Sequence, residues 1–309
     1  MRYSGIGGQA VMEGVMMKNK DRYAVAVRKP DQEIVVEVKD YTGIIKNEKV
    51  KNIPILRGVL NFIDSLVLGI STLTYSASFF EEEESNRKKQ LDEKQKKKKE
   101  KAEMGITVAL SFVLAIAIFM ILPYYLSLFF QKYIASPTIL ALIEGVIRMV
   151  IFVVYILLIS RMEDIQRTFM YHGAEHKCIN CIEHGMELTV ENVRKSSRQH
   201  KRCGTSFLLF VMIVSIIFFA FIQVDSGVLR LLLRLVLIPV IAGVSYEFIR
   251  LAGRSDNVIV NFLSKPGLWL QNLTTREPDD AMIEVGIASV EAVFDWKAYQ
   301  EEEKIHDIS

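Results

Sequence analysis

The sequence predicts an α-helical multi-pass membrane protein, with about four transmembrane helices, an interfacial or re-entrant helix, and a small cytosolic α+β portion. Half of the 309 residues are hydrophobic, yet 24% are charged. Soluble proteins rarely combine these properties, whereas a membrane protein with charged segments outside the lipid does so readily. Four apolar runs support the same class, because each is long enough to cross roughly 30 Å of hydrocarbon.

The N-terminal residues 1–52 are expected to form a β-rich cytosolic domain. Residues 22–28 and 33–39 alternate apolar and polar side chains with the two-residue period of strands. The intervening residues 29–32 (KPDQ) are typical of a turn. A glycine-punctuated stretch before them carries one carboxylate, Glu13. We interpret Glu13 as a solvated strand or turn residue, with a role as ligand or base as the alternative.

Two further segments precede the first predicted span. Residues 53–80 are apolar but contain Asp64, whose burial in lipid would cost several kcal/mol without a partner. This segment is therefore expected to be an interfacial or re-entrant helix. Residues 81–104 are expected to form a charged linker, since mixed charge of this density cannot bury a core. Its lysines are expected to meet anionic lipid headgroups.

Residues 105–160 hold the first two predicted transmembrane helices, and residues 205–250 hold the last two. Several charged residues lie within these ranges, among them Glu144, Arg148 and Arg234. At the rise of an α-helix, Glu144 and Arg234 lie at matching depth. We interpret the group as a structural ion pair that joins two helices, with a proton or substrate pathway as the alternative.

The distribution of charge predicts the orientation. The segment from Arg161 to Cys203 contains eight Lys or Arg residues, whereas the opposite turns near Lys132 and Asp225 hold one Lys between them. The positive-inside rule therefore predicts a cytoplasmic-membrane protein with both termini and the His/Cys loop 161–204 in the cytoplasm. The lipid bilayer is the expected partner, together with a cytosolic or membrane protein. A net charge of +2 is too small to predict specific nucleic-acid binding.

Residues 251–309 are expected to form cytosolic helices. The first, from Val258 to Leu273, is predicted to lie against the membrane surface because apolar and polar residues interleave along it. A second is predicted from about Asp279 to Tyr299, since the sequence TTREPDD is typical of a helix start. Asp279 and Asp280 are therefore interpreted as acids that complement the positive end of the helix dipole, rather than as catalytic groups.

The segment around His172 has the composition of a metal site. His172, Glu175 and His176 match the pattern H-x-x-E-H, the spacing that inverted zincin peptidases use. Residues four apart on a helix lie one above the other, so both imidazoles can reach one ion. Glu175 is then placed to act as general base. Gly173 inside the motif argues against this interpretation, because it weakens a helix by about 1 kcal/mol.

The sequence leaves the remaining metal ligand open. His200, Cys203 and Glu247 are the candidates, and Glu247 qualifies only if the chain turns back after the second span. An alternative is a closed structural site in which Cys178 and Cys181 join His200 and Cys203. The C-x-x-C and H-x-x-C spacings suit reduced thiols or metal ligands better than disulfides. Zinc is the expected metal, with another divalent ion as the alternative.

Several stretches of this chain resemble the YqhQ-like family of bacterial integral membrane proteins. These stretches are residues 7–17 (GGQAVMEGVMM), 57–58 (RG), 171–177 (YHGAEHK), 200–207 (HKRCGTSF) and 277–280 (EPDD). The family is catalogued as a domain of unknown function and is often labelled a predicted metal-dependent enzyme. The resemblance therefore implies membrane localisation and metal chemistry but no particular reaction.

The leading functional hypothesis is that the protein is a metal-dependent hydrolase at the inner membrane face, and more specifically a peptidase. The alternative is a non-catalytic membrane scaffold or assembly factor in which a structural zinc braces the loop. A transporter built on Glu144, Arg148 and Arg234 is a third hypothesis, disfavoured because these charges are few and can pair with one another.

Overall fold

A computed structural model describes residues 3–43, 53–85, 93–222, 224, 226–253, 255 and 257–308. Residues 44–52 of the predicted N-terminal domain, residues 86–92 of the predicted linker, and Asp225 of the predicted outer turn lie outside the described residues. The chain divides into two compact units. Unit 1 comprises Met1–Phe80, Leu158–Phe210 and Ala242–Ser309, and unit 2 comprises Glu81–Leu157 and Val211–Ile241.

Four antiparallel strands form a small sheet in the order β1-β2-β3-β4. They are β1 (Gly7–Val11), β2 (Gly14–Asn19), β3 (Arg22–Arg28) and β4 (Ile34–Asp40). The hairpin predicted from sequence alternation is present as β3 and β4. The first two strands form another hairpin, which the sequence did not reveal because glycines and methionines obscure the two-residue period.

The rest of the described chain is mostly helical. The helices are α1 (Leu56–Ser85), α2 (Glu93–Ile116), α3 (Leu122–Gln131), α4 (Pro137–Ile159), α5 (Glu163–Glu183), α6 (Val190–Lys195), α7 (Gly204–Phe221), α8 (Gly227–Ala252), α9 (Val258–Thr274), α10 (Asp280–Val293) and α11 (Trp296–Ile308). A π-helical turn, Ala117–Ile121, connects α2 to α3.

Five helices in the described part of the chain are long and apolar enough to cross a membrane, by length and composition. These segments are Leu56–Phe80, Gly105–Gln131, Pro137–Ile159, Gly204–Phe221 and Gly227–Ala252. The sequence predicted four, and the count differs at α1. Asp64 argued against a span in α1, but the side chain is not isolated, since it accepts a hydrogen bond of 3.3 Å from the Tyr41 hydroxyl.

The sheet of unit 1 is covered by helices on both faces. On one face, Val15, Met17 and Ala26 pack in an apolar cluster with residues of α5 and α10. On the other face, Val11 and other alternate residues pack with Leu68 of α1. This arrangement follows from the pleat, which sends successive side chains to opposite faces of a sheet. The two middle strands, β2 and β3, are therefore mostly buried, and they lie at the centre of unit 1.

Polar contacts also tie α1 and α5 to the first hairpin. The Gln9 amide donates to Thr72 Oγ1 over 2.8 Å, and the Met12 backbone N–H donates to Ser76 Oγ over 3.1 Å. Glu13 lies in the turn between β1 and β2, with a positive φ of 49°, and its carboxylate accepts two hydrogen bonds from Arg167. Glu13 is thus the turn residue that the sequence predicted, but it is paired with an arginine of α5.

The C-terminal helices differ in part from the prediction. Asp279 caps α10, where its carboxylate accepts a hydrogen bond of 2.8 Å from the Met282 backbone N–H, and its interpretation as a helix-start acid is confirmed. The single helix predicted from Asp279 to Tyr299 is wrong, because α10 ends at Val293. A separate helix, α11, follows. The Asp295 carboxylate caps its start by accepting a hydrogen bond from the Ala298 backbone N–H.

A buried cluster of charges holds the helices of unit 2 together. The Glu144 carboxylate accepts hydrogen bonds of 2.9 Å from Arg148 and 2.8 Å from Arg234. Arg148 also donates to the Phe119 carbonyl over 2.9 Å, in the π-helical turn. Both guanidinium groups lie about 5 Å from the Phe219 ring, at 5.2 and 4.9 Å, a distance at which an aromatic face stabilises a cation. The predicted pairing is therefore present, and it links residues of four segments.

Replacement of Glu144 tests whether this cluster is structural. We expect Glu144→Gln to lower the free energy of unfolding by roughly 3 kcal/mol, because it leaves two permanently charged guanidinium groups buried without a counter-charge. Thermal unfolding in lipid nanodiscs measures the effect. Glu191→Gln removes an exposed ion pair with Lys195 and serves as the control, with little change expected. A Glu144→Gln protein as stable as the wild type would contradict the structural role.

Candidate metal centre

His172, Glu175 and His176 lie on the same side of helix α5, as their spacing predicts. His172 Nδ1 lies 2.9 Å from the Thr274 carbonyl oxygen, and His176 Nδ1 lies 2.6 Å from the Arg198 carbonyl oxygen. A carbonyl can only accept, so each ring carries its proton on Nδ1. The Nε2 atom of each ring is therefore the nitrogen that can serve as a metal ligand, and the carbonyls fix the ring orientation.

Cys203 completes a group of three donors. Its sulfur lies 3.2 Å from His172 Nε2, and the ligand atoms of His172, His176 and Cys203 all lie within 4.8 Å of one another. In the described part of the chain, no other group of three or more His, Cys, Asp or Glu residues meets this spacing. The structure thus brings together the histidine pair and one of the three candidate third ligands.

The three donors are electrostatically coupled. Burial raises the pKa of the Cys203 thiol, but the adjacent imidazoles of His172 and His176 outweigh burial and hold that pKa well below its ordinary value. Burial lowers the pKa of His172, yet the Cys203 thiolate raises it to about 9. A proton on the ring therefore balances the thiolate charge, at a position where a metal cation would serve the same purpose.

Glu175 lies beside the three donors. Its carboxylate is buried, and one oxygen lies 3.8 Å from His172 Nε2. Burial raises the pKa of this carboxyl above its ordinary value. Gly8 of β1 makes room for the side chain, because a Cβ atom there would lie 3.1 Å from Glu175 Cγ and 2.4 Å from the Met16 carbonyl oxygen. The first hairpin thus forms part of the site.

A cavity of about 230 Å³ opens onto these groups. One wall consists of the N-terminal segment, which is attached to α5 through Ser4, whose hydroxyl donates to Glu183 over 2.8 Å. The residues that line the cavity are Tyr3, Gly5, Ile6, Gly7, Gly8, His172, Glu175, His176, Ile179, His200, Arg202, Cys203 and Gly204. Three glycines in the N-terminal wall leave the backbone itself facing the space. The cluster is therefore open to a small ligand on one side.

His200 lies next to the cluster but is not part of the donor group. Its ring is 5.6 Å from the His176 ring, centre to centre, and its Nε2 atom lies 3.6 Å from Glu183 Oε2. Burial lowers the pKa of His200 to about 4. Burial raises the pKa of Glu183, but the neighbouring His200 and the positive charge of Arg202 lower it to about 2. His200 therefore faces a carboxylate rather than the other donors.

The remaining predicted ligands lie elsewhere. Cys178 is buried among the apolar residues of the α5 and α10 cluster, and burial raises the pKa of its thiol. Cys181 donates to the Glu187 carbonyl over 3.4 Å. Glu247 accepts two hydrogen bonds from Arg57, so its carboxylate is neutralised by α1. The closed cysteine-rich group and a ligand role for Glu247 are consequently not assembled in this structure.

The path of residues 194–203 follows from polar groups buried on α5. The Lys177 ammonium donates to the Arg194 and Ser196 carbonyls, both at 2.9 Å. The Asn180 amide donates to two further carbonyls of this segment, those of Ser197 and Gln199. Buried donors need such partners, and the segment that supplies them ends at Cys203. Sequence patterns did not reveal these positions, because a backbone carbonyl leaves no signature in residue type.

Comparisons with known proteins agree with the resemblance in the sequence. A family described as "Protein of unknown function (DUF1385)" matches residues 53–296. The "Uncharacterized protein YqhQ" of Bacillus subtilis (strain 168) is 35% identical over 299 residues, which cover 96% of this chain and 94% of that protein. No solved structure matches. Neither description names a metal, a substrate or a reaction, so the metal chemistry stays a prediction.

Gly173, which argued against a helical motif, is required by a close backbone approach. A Cβ atom at this position would lie 2.0 Å from the Arg276 carbonyl oxygen. The Arg276 backbone N–H in turn donates to the Phe169 carbonyl over 2.9 Å. The segment that contains Arg276 also provides the Thr274 carbonyl that orients His172. The glycine therefore allows α5 to approach the residues that fix His172, the first candidate metal ligand of the helix.

We expect Gly173→Ala to be destabilising even though alanine favours a helix. The new methyl group would displace the Arg276 backbone, at a cost of about 1 to 3 kcal/mol, and loosen the His172 orientation. Thermal unfolding and metal affinity in nanodiscs measure both effects. Gly105→Ala in α2 is the matched control, because a Cβ there meets nothing within 4 Å. A Gly173→Ala protein with unchanged stability and metal affinity would contradict this account.

Proposed function

Because this chain belongs to the DUF1385 family, whose function is unknown, we propose from its geometry that it is a metal-dependent hydrolase of the membrane. One observation carries the proposal. The ligand atoms of His172, His176 and Cys203 lie within 4.8 Å of one another, on the wall of a cavity that also contains the buried carboxylate of Glu175.

The donor set suits zinc. Two imidazole nitrogens and one thiolate are borderline-soft ligands of the kind that zinc prefers. Three protein ligands leave a fourth position open, which is typical of catalytic rather than structural sites. When bound, zinc supplies a Lewis acid to an oxygen of the substrate or of water. The lowered pKa of the Cys203 thiol supports the fit, because a thiol binds metal as its thiolate.

The side chains around the donors have distinct roles in this proposal. The carbonyls of Thr274 and Arg198 hold the two imidazoles in the tautomer that presents Nε2. Glu175 accepts and returns a proton at its carboxylate. Burial raises the pKa of that carboxyl above its ordinary value, which is the direction of shift that a general base needs.

The expected substrates are peptides or esters, which are hydrolysed at a carbonyl carbon. The specific activity that we propose is that of a peptidase at the inner membrane face. The cavity has room for part of a substrate, and the N-terminal wall presents backbone groups to it. Cys203 directly precedes α7, whose apolar length suits a membrane span. The site therefore adjoins, along the chain, a segment that is expected to enter the bilayer.

A non-catalytic scaffold with a structural zinc is the second candidate. Two of the three donors lie on α5 and the third lies at the end of the segment 194–203. A bound metal would therefore link this segment to α5, which favours the structural role. In that case the metal would contribute folding free energy directly, and Glu175 would have no chemical task.

Paired variants distinguish the two candidates. In purified protein in nanodiscs, we expect Glu175→Gln to retain its metal but to lose hydrolysis of fluorogenic peptides and esters by roughly 10²-fold or more. Cys203→Ser should lose the metal, because serine is a poor zinc ligand. Cys181→Ser, at a thiol outside the cluster, is the control and should retain both. A wild type that retains its metal but hydrolyses nothing would favour the scaffold. Undiminished hydrolysis by Glu175→Gln would remove Glu175 as the base, and metal retention by Cys203→Ser would remove this site.

We further propose that the four helical segments from Gly105 onward cross the cytoplasmic membrane, while α1 lies at its surface. The Lys39 ammonium lies 5.2 Å from the centre of the Tyr75 ring in α1, and Thr72 and Ser76 bond to β1 and its turn. A face that packs on a sheet with charged residues is unsuited to hydrocarbon. The basic segment 161–204 supports a cytoplasmic position for the candidate site.

Labelling of single cysteines in intact cells tests this orientation. With a membrane-impermeant maleimide, we expect Tyr133→Cys to react from outside, since this 82% exposed residue lies in the turn between two spans. Ile53→Cys and Ser78→Cys, near opposite ends of α1, should react only after permeabilisation. The wild type, whose three cysteines are buried, measures background. External labelling of only one of these two positions would show that α1 crosses the membrane, and external labelling of both would contradict the orientation.

A further inference from the structure

Helix α9 (Val258–Thr274) has an apolar face without a packing partner in the described structure. Val258 is 82% exposed, Phe262 65% and Trp269 57%. Ile259 and Leu263 are also exposed. These positions follow the three- and four-residue spacing of one helical face. A contiguous exposed face of large apolar side chains marks an interaction surface rather than ordinary surface variation.

The opposite face of α9 touches the candidate metal centre. Gln271 is fully buried, and its amide group accepts from the His200 N–H and donates to the His200 carbonyl, both at 2.8 Å. The same amide donates to Ser206 Oγ over 2.7 Å. Thr274, at the end of the helix, supplies the carbonyl that orients His172. One helix therefore presents an apolar face outward and holds the wall of the site with its inner face.

We infer that α9 lies in the headgroup region of the bilayer, with its apolar face at the acyl boundary, and that this attachment keeps the wall of the metal centre in place. Continuity with α7 supports a lipid partner. Gly267 of α9 packs against Ser206, where a Cβ atom would lie 2.8 Å from the serine hydroxyl. Ser206 belongs to the first turn of α7, whose apolar length suits a membrane span.

Charge also favours a lipid surface. The sequence of α9 contains one charged residue, Lys265, and no acid. Lys201 of the adjoining segment donates to Asn261 on the same helix over 2.9 Å. Basic residues beside an apolar helical face complement anionic headgroups. Trp269 suits the same location, because tryptophan is enriched where the membrane meets water. The inference requires neither a bound metal nor hydrolase activity.

Quenching of tryptophan fluorescence tests the location directly. The chain has two tryptophans, Trp269 on α9 and Trp296, which is 8% exposed within the apolar cluster of unit 1. In vesicles of phosphatidylcholine and phosphatidylglycerol with bromine near the headgroup, we expect the wild type to lose the part of its emission that comes from Trp269. Trp269→Phe should be insensitive to the bromine, because only the buried Trp296 remains.

Aqueous iodide provides the opposing measurement. Quenching of Trp269 by iodide without quenching by bromolipid would place the helix in water and overturn the inference. Insensitivity to both quenchers would mean that a protein covers this face, and it would overturn the inference equally. Loss of the Trp269 component to bromolipid supports it.

A substitution on the outer face tests the effect on the site. We expect Phe262→Asp to lose the bromolipid quenching and to speed amide hydrogen exchange in residues 198–206, because α9 would no longer be held at the membrane. Val38→Asp, at another exposed apolar position in unit 1, is the control and should change neither. Unchanged exchange in a Phe262→Asp protein that has lost its quenching would contradict the link between membrane attachment and the metal centre.

Discussion

The structure of the candidate site depends on the burial of a polar helix. Eleven consecutive residues of α5, from Gly173 to Glu183, are buried, and Glu175, His176, Lys177, Asn180 and Glu183 are among them. Buried polar groups destabilise a fold unless they are hydrogen-bonded. Backbone carbonyls of residues 194–199 meet most of this need, so that segment must follow α5 closely. The continuation of that segment then places Cys203 against His172, so the geometry of the candidate site follows from the hydrogen-bonding needs of α5.

Local periodicity predicted the parts of the site that depend on one element. The spacing of His172, Glu175 and His176 determines a shared helical side, whatever the helix packs against. The choice among His200, Cys203 and Glu247 was open because it depends on long-range contacts. Glu247 is engaged by Arg57 from a helix about 190 positions earlier, and His200 is turned towards Glu183. Neither contact has a local sequence signal. Gly173 is visible in the sequence, but the reason for a glycine inside this helix is the close approach of the Arg276 backbone.

The fold was predictable to a similar extent. Alternation revealed β3 and β4, and uncharged runs revealed the long apolar helices, because both signals arise from regular burial. The hairpin of β1 and β2 was not predicted, and the count of candidate spans differs by one from the predicted four. In each case a tertiary contact decides the outcome: Gly8 of β1 accommodates Glu175, and Tyr41 and the sheet provide partners for the polar residues of α1. In unit 2, buried charge is paired within the cluster around Glu144. In the candidate metal centre of unit 1, by contrast, the three donors face one another beside an open cavity.

Two imidazoles and one thiolate are proposed to bind a common metal. X-ray absorption at the zinc edge of the purified, zinc-loaded protein tests this ligand set, because the method identifies the atoms around the metal. We expect a shell with nitrogen ligands at about 2.0 to 2.1 Å and a single sulfur at about 2.3 Å. A shell without sulfur, or one with two or more sulfur atoms, would contradict the assignment of His172, His176 and Cys203.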